Sequence, residues 1–254
     1  MTATATLYTP FGFAVAADGF QRWGHEPTRD RSVIEDESGS IRKIFEIKQE
    51  HVTLAYLLRG DIANRDRSFD LSWELGSLIA SIGAAAFADC HQFVQALAKK
   101  LEDTILIAQA DHRLDDDLPA SEITFVGYFK DHPCWIDASF FRSRNPRTGS
   151  VFAVVPININ PGFCFVSGSL LIRDLIQQND HRFAPYCLRF DPTRSLEDAA
   201  GFFNGYIEAC CSRAALFVDP ECEGLGGHIH VATVAPENGF QWVVPPLEIT
   251  GPLK

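Results

Sequence analysis

No stretch of this chain approaches the roughly 18 uninterrupted apolar residues that a membrane span requires. The longest weakly polar run, Leu78 to Ala88, suits an ordinary core helix. The opening Met-Thr-Ala-Thr-Ala-Thr has neither the positive n-region nor the apolar h-region of a secretory signal. Positive charge is short: 22 Lys and Arg against 33 Asp and Glu leave a net charge of −11, which argues against a grip on nucleic-acid phosphates or an anionic membrane surface. No two of the seven cysteines stand at CxxC spacing, and the number is odd. Reduced thiols in a cytoplasmic protein fit that usage better than a disulfide framework. Linkers, short internal repeats and low-complexity tracts are absent too, so residues 2–254 read as one domain.

What is present is a hydrophobic content of 46% over 254 residues, enough to bury a substantial core. Phe11, Phe13, Val15 and Ala17 alternate with smaller residues, and Ile44 to Ile47 and Val52 to Leu58 are two further apolar runs, all of strand character. Helical spacing follows at Leu71, Leu75, Leu78, Ile79 and Ile82, then at Phe93, Val94, Leu97, Leu101 and Ile105. Strand signals return at Ile123 to Phe129, Cys134 to Phe141 and Val151 to Ile157, between turns that include Asn145-Pro146 and Asn160-Pro161-Gly162. Leu171, Ile172, Leu175 and Ile176 share one helical face. A later helix starts near Ser195, with Asp198 suited to its cap and Phe202, Phe203, Tyr206, Ile207, Cys210 and Ala214 as its buried face. His228 to Val234 and Phe240 to Val244 close the chain as strands joined through Pro236-Glu237-Asn238-Gly239. The order β, αα, β, αα, β predicts a layered α+β domain, because helices with one apolar stripe must lie on sheets. Gln21 to Ser40, polar and charged, reads as a surface loop.

Three residue sets bear on chemistry. Thr2 lies one cleavage from the N-terminus; a free α-amine could take the proton of its own hydroxyl, so one residue would supply both nucleophile and base. Without other support, a frayed terminus is the simpler reading. Lys43 opens an apolar strand beside Arg42, and a cation near the nucleophile would favour its deprotonated form; a lysine snorkelling at a strand edge is the plainer alternative. His228 and His230 fall on one strand face, near Glu221, Cys222 and Glu223, and could bind zinc. No second Cys pair or His stands at ligand spacing, so packed histidines are the simpler account. The Asp115-Asp116-Asp117 run reads as a solvated loop. No cofactor is expected.

Spacing then joins the first two sets. Phe11 to Asp18 resembles the first strand of the proteasome family of N-terminal nucleophile hydrolases, which ends in a small-small-Asp step sixteen residues after the catalytic threonine, as Asp18 follows Thr2. Arg42-Lys43-Ile44-Phe45-Glu46-Ile47 is similar to the strand that carries the family's catalytic lysine, and Gly60-Asp61 follows where the first helix should open. Gly127-Tyr128, Ser167-Gly168-Ser169 and Gly226 to Val231 agree in order, so the similarity covers nearly the whole chain. The resemblance implies a four-layer αββα sandwich of the 20S core subunit type. Met1 removal would expose Thr2 as nucleophile and its amine as general base; Lys43 would lower the nucleophile's pKa, Asp18 would orient Lys43, the Leu57 N–H would be the oxyanion donor and Ser167 would support the amine. The implied activity is cleavage of peptide or other amide bonds through an acyl-enzyme, and the implied partners are further copies of the chain or ring subunits.

The chain departs from the family pattern in three ways, of which the last two favour the alternative, a catalytically silent subunit acting in assembly. The stretch from Asp18 to Lys43 is longer than the family's, Leu57 replaces a glycine, and Cys222 and Leu225 stand where an Asp and a Ser would buttress the amine. Glu221 or Glu223 would be the residue to compensate.

Overall fold

The computed structural model describes residues 2–20, 41–60, 62–63, 69–111, 121–141, 144–145, 149–186 and 194–247. The readings made for Met1, the Gln21 to Ser40 loop, Asp61, Pro146 and Asp115 to Asp117 lie outside them. The described residues form an α+β structure with two five-stranded antiparallel sheets.

The first sheet has β1 (Thr4–Thr9), β2 (Gly12–Ala17), β8 (Cys164–Val166), β9 (His230–Ala235) and β10 (Gly239–Val244), in the order β10-β9-β2-β1-β8. The second runs β3 (Ile44–Gln49), β4 (Val52–Gly60), β5 (Ser121–Phe129), β6 (His132–Phe140) and β7 (Phe152–Pro156) in chain order. The alternating face of β2 shows how they meet. Phe13, Val15 and Ala17 join Ala232 and Val234 of the first sheet and Ile44, Ala55, Leu57, Val126 and Trp135 of the second in one buried cluster. Ala14 and Ala16 point the other way, into a cluster with helix side chains. Burial on both faces explains why Gly12–Ala17 is apolar throughout instead of alternating with polar residues.

Helices α1 (Leu71–Ser81) and α2 (Cys90–Ala110) bury Leu71, Leu75, Phe93, Val94, Leu97, Leu101 and Ile105 against the outer face of the second sheet. Helices α3 (Leu170–Gln177), α4 (Leu196–Cys211) and α5 (Arg213–Val218) lie over the first, where Phe202, Phe203, Tyr206, Ile207 and Cys210 are buried. Asp70, Asp89, Ser169, Ser195 and Ser212 cap the five N-termini with side-chain oxygens. No helix among the described residues is long and apolar enough to cross a membrane.

Several expectations are corrected. Leu78 to Ala88 is not one helix: α1 stops at Ser81, Gly83 is extended, and Ala84–Ala86 is a short 3₁₀ turn. Strands β1 and β8 add to the expected order: β1 alternates Ala5 and Leu7, buried on the helix side, with Thr4 and Thr6, and Ala5 pairs with Val166 of β8 on one flank and with Ala16 of β2 on the other. On α3 only Ile172 and Ile176 are buried and Leu171 is half exposed. Ala214 falls in α5, because α4 ends at Cys211.

Candidate active site

The N-terminal strand is held between two segments distant in sequence. On one side Asp18, just past β2, accepts the Ala3 N–H at Oδ1 (2.9 Å), while its own N–H donates to the Ala3 carbonyl (3.0 Å). On the other, Ser167 Oγ accepts the Thr4 N–H (3.0 Å) and donates to the Thr2 carbonyl (3.1 Å). Gly168 makes this close approach possible: its φ is +107°, and a Cβ there would stand 3.1 Å from the Ala3 Cβ. Ser169 then caps α3 and donates to Asp219, and the Tyr206 hydroxyl bonds the carbonyls of Ser167 and Ser169.

Lys43 reaches the same place from the residue just before β3, with both it and Asp18 fully buried. Its Nζ lies 2.9 Å from Asp18 Oδ1, 2.5 Å from the Phe20 carbonyl and 3.5 Å from Thr2 Oγ1. An ammonium has three N–H donors, and each has an acceptor here. Asp18 gains a third donor from the Gly226 N–H (3.3 Å), while the Gly226 carbonyl accepts from Gly19 and Phe20. Gly227, at φ +71°, turns the chain back into β9. Burial pushes the Asp18 carboxyl above its ordinary range, and Lys43 with the two backbone N–H groups pulls it partly back.

Thr2, Asp18, Lys43 and Ser167 therefore come together, although Ser167 bonds the Thr2 carbonyl, not its amine. Leu57 differs. It is paired on both flanks of β4, with Ile44 and Thr124, and because the Leu58 N–H donates to the Lys43 carbonyl, alternation turns the Leu57 N–H toward β5. The expectation of an oxyanion donor at Leu57 is corrected: the group belongs to the sheet ladder, and its side chain is buried between the sheets. Cys222 and Leu225 are likewise buried in the helix-side cluster, and Glu221 and Glu223 face solvent, so neither glutamate compensates at Thr2.

The zinc reading of the histidines also fails on geometry. His230 Nε2 accepts the Lys43 backbone N–H (2.9 Å) and its Nδ1 faces the His228 carbonyl (3.3 Å), while His228 Nε2 lies 2.8 Å from the Pro245 carbonyl. No group of three or more potential metal ligands occurs among the described residues. His230 is the site residue that sequence reasoning missed in its true role: its partner lies 187 positions away, a contact that no local pattern carries. Two surface clefts, of about 590 and 370 Å³, are lined by Leu196, Thr233 and Gln241 and by Cys90, Phe129 and Cys134 respectively. Neither includes Thr2 or Lys43.

Against known proteins, no family model and no curated protein matches the sequence. Solved structures do match. Anbu (ancestral beta-subunit) from Yersinia bercovieri superimposes with a TM-score of 0.56 at 12% identity, covering 96% of this chain and 87% of its own. The helical assembly of the Anbu complex from Pseudomonas aeruginosa gives 0.57 at 10% identity, covering 99% and 88%. Anbu from Hyphomicrobium sp. strain MC1 gives 0.53 at 12% identity, covering 98% and 89%. The chain shares the fold of Anbu proteins. This corrects the family expected from the Thr2, Asp18 and Lys43 spacing: these neighbours are Anbu proteins rather than 20S core subunits, and identities of 10–12% extend to fold alone.

Proposed function

We propose that the chain is an N-terminal threonine hydrolase, related in fold to the Anbu subunits, that cleaves peptide or other amide bonds through an acyl-enzyme on Thr2. The observation that carries this reading is the single position of Lys43 Nζ, within reach of Asp18, the Phe20 carbonyl and Thr2 Oγ1 at once. A buried cation with no task beyond Asp18 has no need of the N-terminal hydroxyl. In the proposed reaction Thr2 is the first residue once Met1 is removed. Its neutral α-amine takes the Oγ proton, and Oγ attacks the substrate carbonyl. The proton passes to the leaving amine as the C–N bond breaks, and water then releases the acid from the ester. Lys43 lowers the proton affinity of both Thr2 groups by charge, Asp18 holds Lys43, and Ser167 fixes the Thr2 carbonyl. The two stacked sheets with helices outside them fit a four-layer αββα sandwich of the N-terminal nucleophile type, in a single domain.

A silent assembly subunit is the second reading, favoured by the turn of the Leu57 N–H into the β4–β5 ladder and by the burial of Cys222 and Leu225. Either reading is compatible with self-association. One Anbu neighbour is a helical assembly, and Leu170, Leu171 and Phe217 are 54, 47 and 74% exposed on α3 and α5. Intact mass before and after incubation with a threonine-directed epoxyketone separates the readings. Loss of Met1 and one adduct, absent in Thr2→Ala, supports the hydrolase; a free Thr2 that never reacts leaves the silent subunit.

A further inference from the structure

We infer that His230 is a positioning residue for Lys43: its bare Nε2 receives the Lys43 backbone N–H and so fixes where the ammonium lies relative to Thr2. The inference deepens the hydrolase reading and rests on it for its kinetic consequence. The need for such a residue follows from topology. Among the described residues strand β3 is the edge of its sheet, paired only with β4. Lys43 precedes its first residue, with its carbonyl bonded to Leu58 on the β4 side. Where a residue in register would return its N–H to the Leu58 carbonyl, the Lys43 N–H leaves the ladder and donates to His230 instead, and a buried donor of that kind is costly when unmet. His230, the first residue of β9 in the opposite sheet, meets it at 2.9 Å.

The ring is built for acceptance. It is 1% exposed, and Nδ1 faces the His228 carbonyl at 3.3 Å, which selects the tautomer with the proton on Nδ1 and the lone pair on Nε2. The Trp242 ring of β10 meets it edge-on at 6.4 Å. The charged and titratable groups around it are Lys43 and Arg42 at the start of β3, His228 on its own segment, and Asp18 beyond Ala17, the residue of β2 that pairs with His230. Burial first, and then the cations, hold the imidazole near pKa 3, so the acceptor stays constant across any ordinary assay range.

The contact joins the two sheets at the one point where the candidate lysine hangs from an edge strand. Losing it releases the backbone from which the Lys43 side chain reaches Thr2, and a displacement of 1 Å in such an arrangement can cost about a hundredfold in rate.

The test has an arm independent of activity. In ¹⁵N-labelled wild-type protein, the Lys43 amide and His230 Nε2 should show a through-hydrogen-bond N–N coupling, with the Lys43 amide protected from exchange. Absence of that coupling together with rapid exchange overturns the inference. The second arm compares His230→Leu, which removes the acceptor, with His230→Gln, whose Oε1 reaches the Nε2 position. Adduct formation at Thr2 should slow about a hundredfold in the leucine variant, with the midpoint of its pH profile moved upward as the ammonium leaves the Thr2 amine. The glutamine variant should recover both. Equal losses in the two variants, or a leucine variant that reacts like wild type, overturn the inference. A wild-type protein that shows the coupling but forms no adduct upholds the hold on Lys43 and defeats the hydrolase reading instead.

Discussion

At the scale of single residues, the decisive fact is that Lys43 and Asp18 are charged, paired and without access to solvent. Desolvation of buried charges can outweigh their attraction, whereas removing one partner strands the other. Asp18→Asn should therefore destabilise by about 3–5 kcal/mol, and Lys43→Met by a similar amount, in urea unfolding. The double variant should be markedly less destabilised than the sum of the two, because no unpaired charge remains. Additivity would mean that the pair is not coupled as its 2.9 Å contact implies. Neither Asp18→Asn nor Lys43→Met should form the Thr2 adduct, which separates chemistry from stability in the double variant.

At the scale of elements, what was legible in the sequence depended on whether the signal was local. Helix α4 announced itself through the Ser195 cap, which accepts the Asp198 N–H at 3.0 Å, and through the stripe from Phe202 to Cys210. Ser195→Ala should lower thermal stability by about 1 kcal/mol through loss of that cap. Strand β2 and the spacing of Thr2, Asp18 and Lys43 were equally readable, since each is a matter of counting. Strand β8 was not, because it is three residues long and pairs with β1 more than 150 positions away, whereas the alternation of Ala5 and Leu7 with Thr4 and Thr6 did mark β1. Leu57 shows a different failure: the resemblance pointed to it by position, but the pairing of β4 decides which way its N–H turns. The Ser167-Gly168-Ser169 turn was visible as a motif, yet its function is contact with the N-terminal strand. Gly168→Ala combines a positive φ with a Cβ 3.1 Å from Ala3, so it should displace the Thr2–Thr4 backbone. The expected reading is a loss of about 1–3 kcal/mol and a slower adduct reaction at Thr2, measured by intact mass.

At the scale of the whole molecule, the site lies where the two sheets are joined by polar contacts, beside the apolar cluster of Phe13, Trp135 and Val234 that lies between them. His230 is part of that junction, and its titration makes stability depend on pH with a definite sign. Its pKa is about 3 in the folded protein against 6.5 for the free side chain. As pH falls below about 6.5 the unfolded chain takes up a proton that the folded one refuses, so stability falls with pH until about 3. The slope approaches about 1.4 kcal/mol per pH unit in that window, the value of one proton. Asp18 acts in the opposite sense: burial raises its carboxyl above the ordinary value, so the folded state binds that proton more readily than the unfolded chain, which opposes acid loss. Because Asp18 is present in both proteins, comparing wild type with His230→Gln isolates the histidine. Urea midpoints at pH 7 and pH 4.5 should drop steeply for wild type and much less for the variant. Parallel drops would mean that the imidazole takes its proton without leaving Lys43, and that the sheets are held at this corner by the Asp18 pair alone.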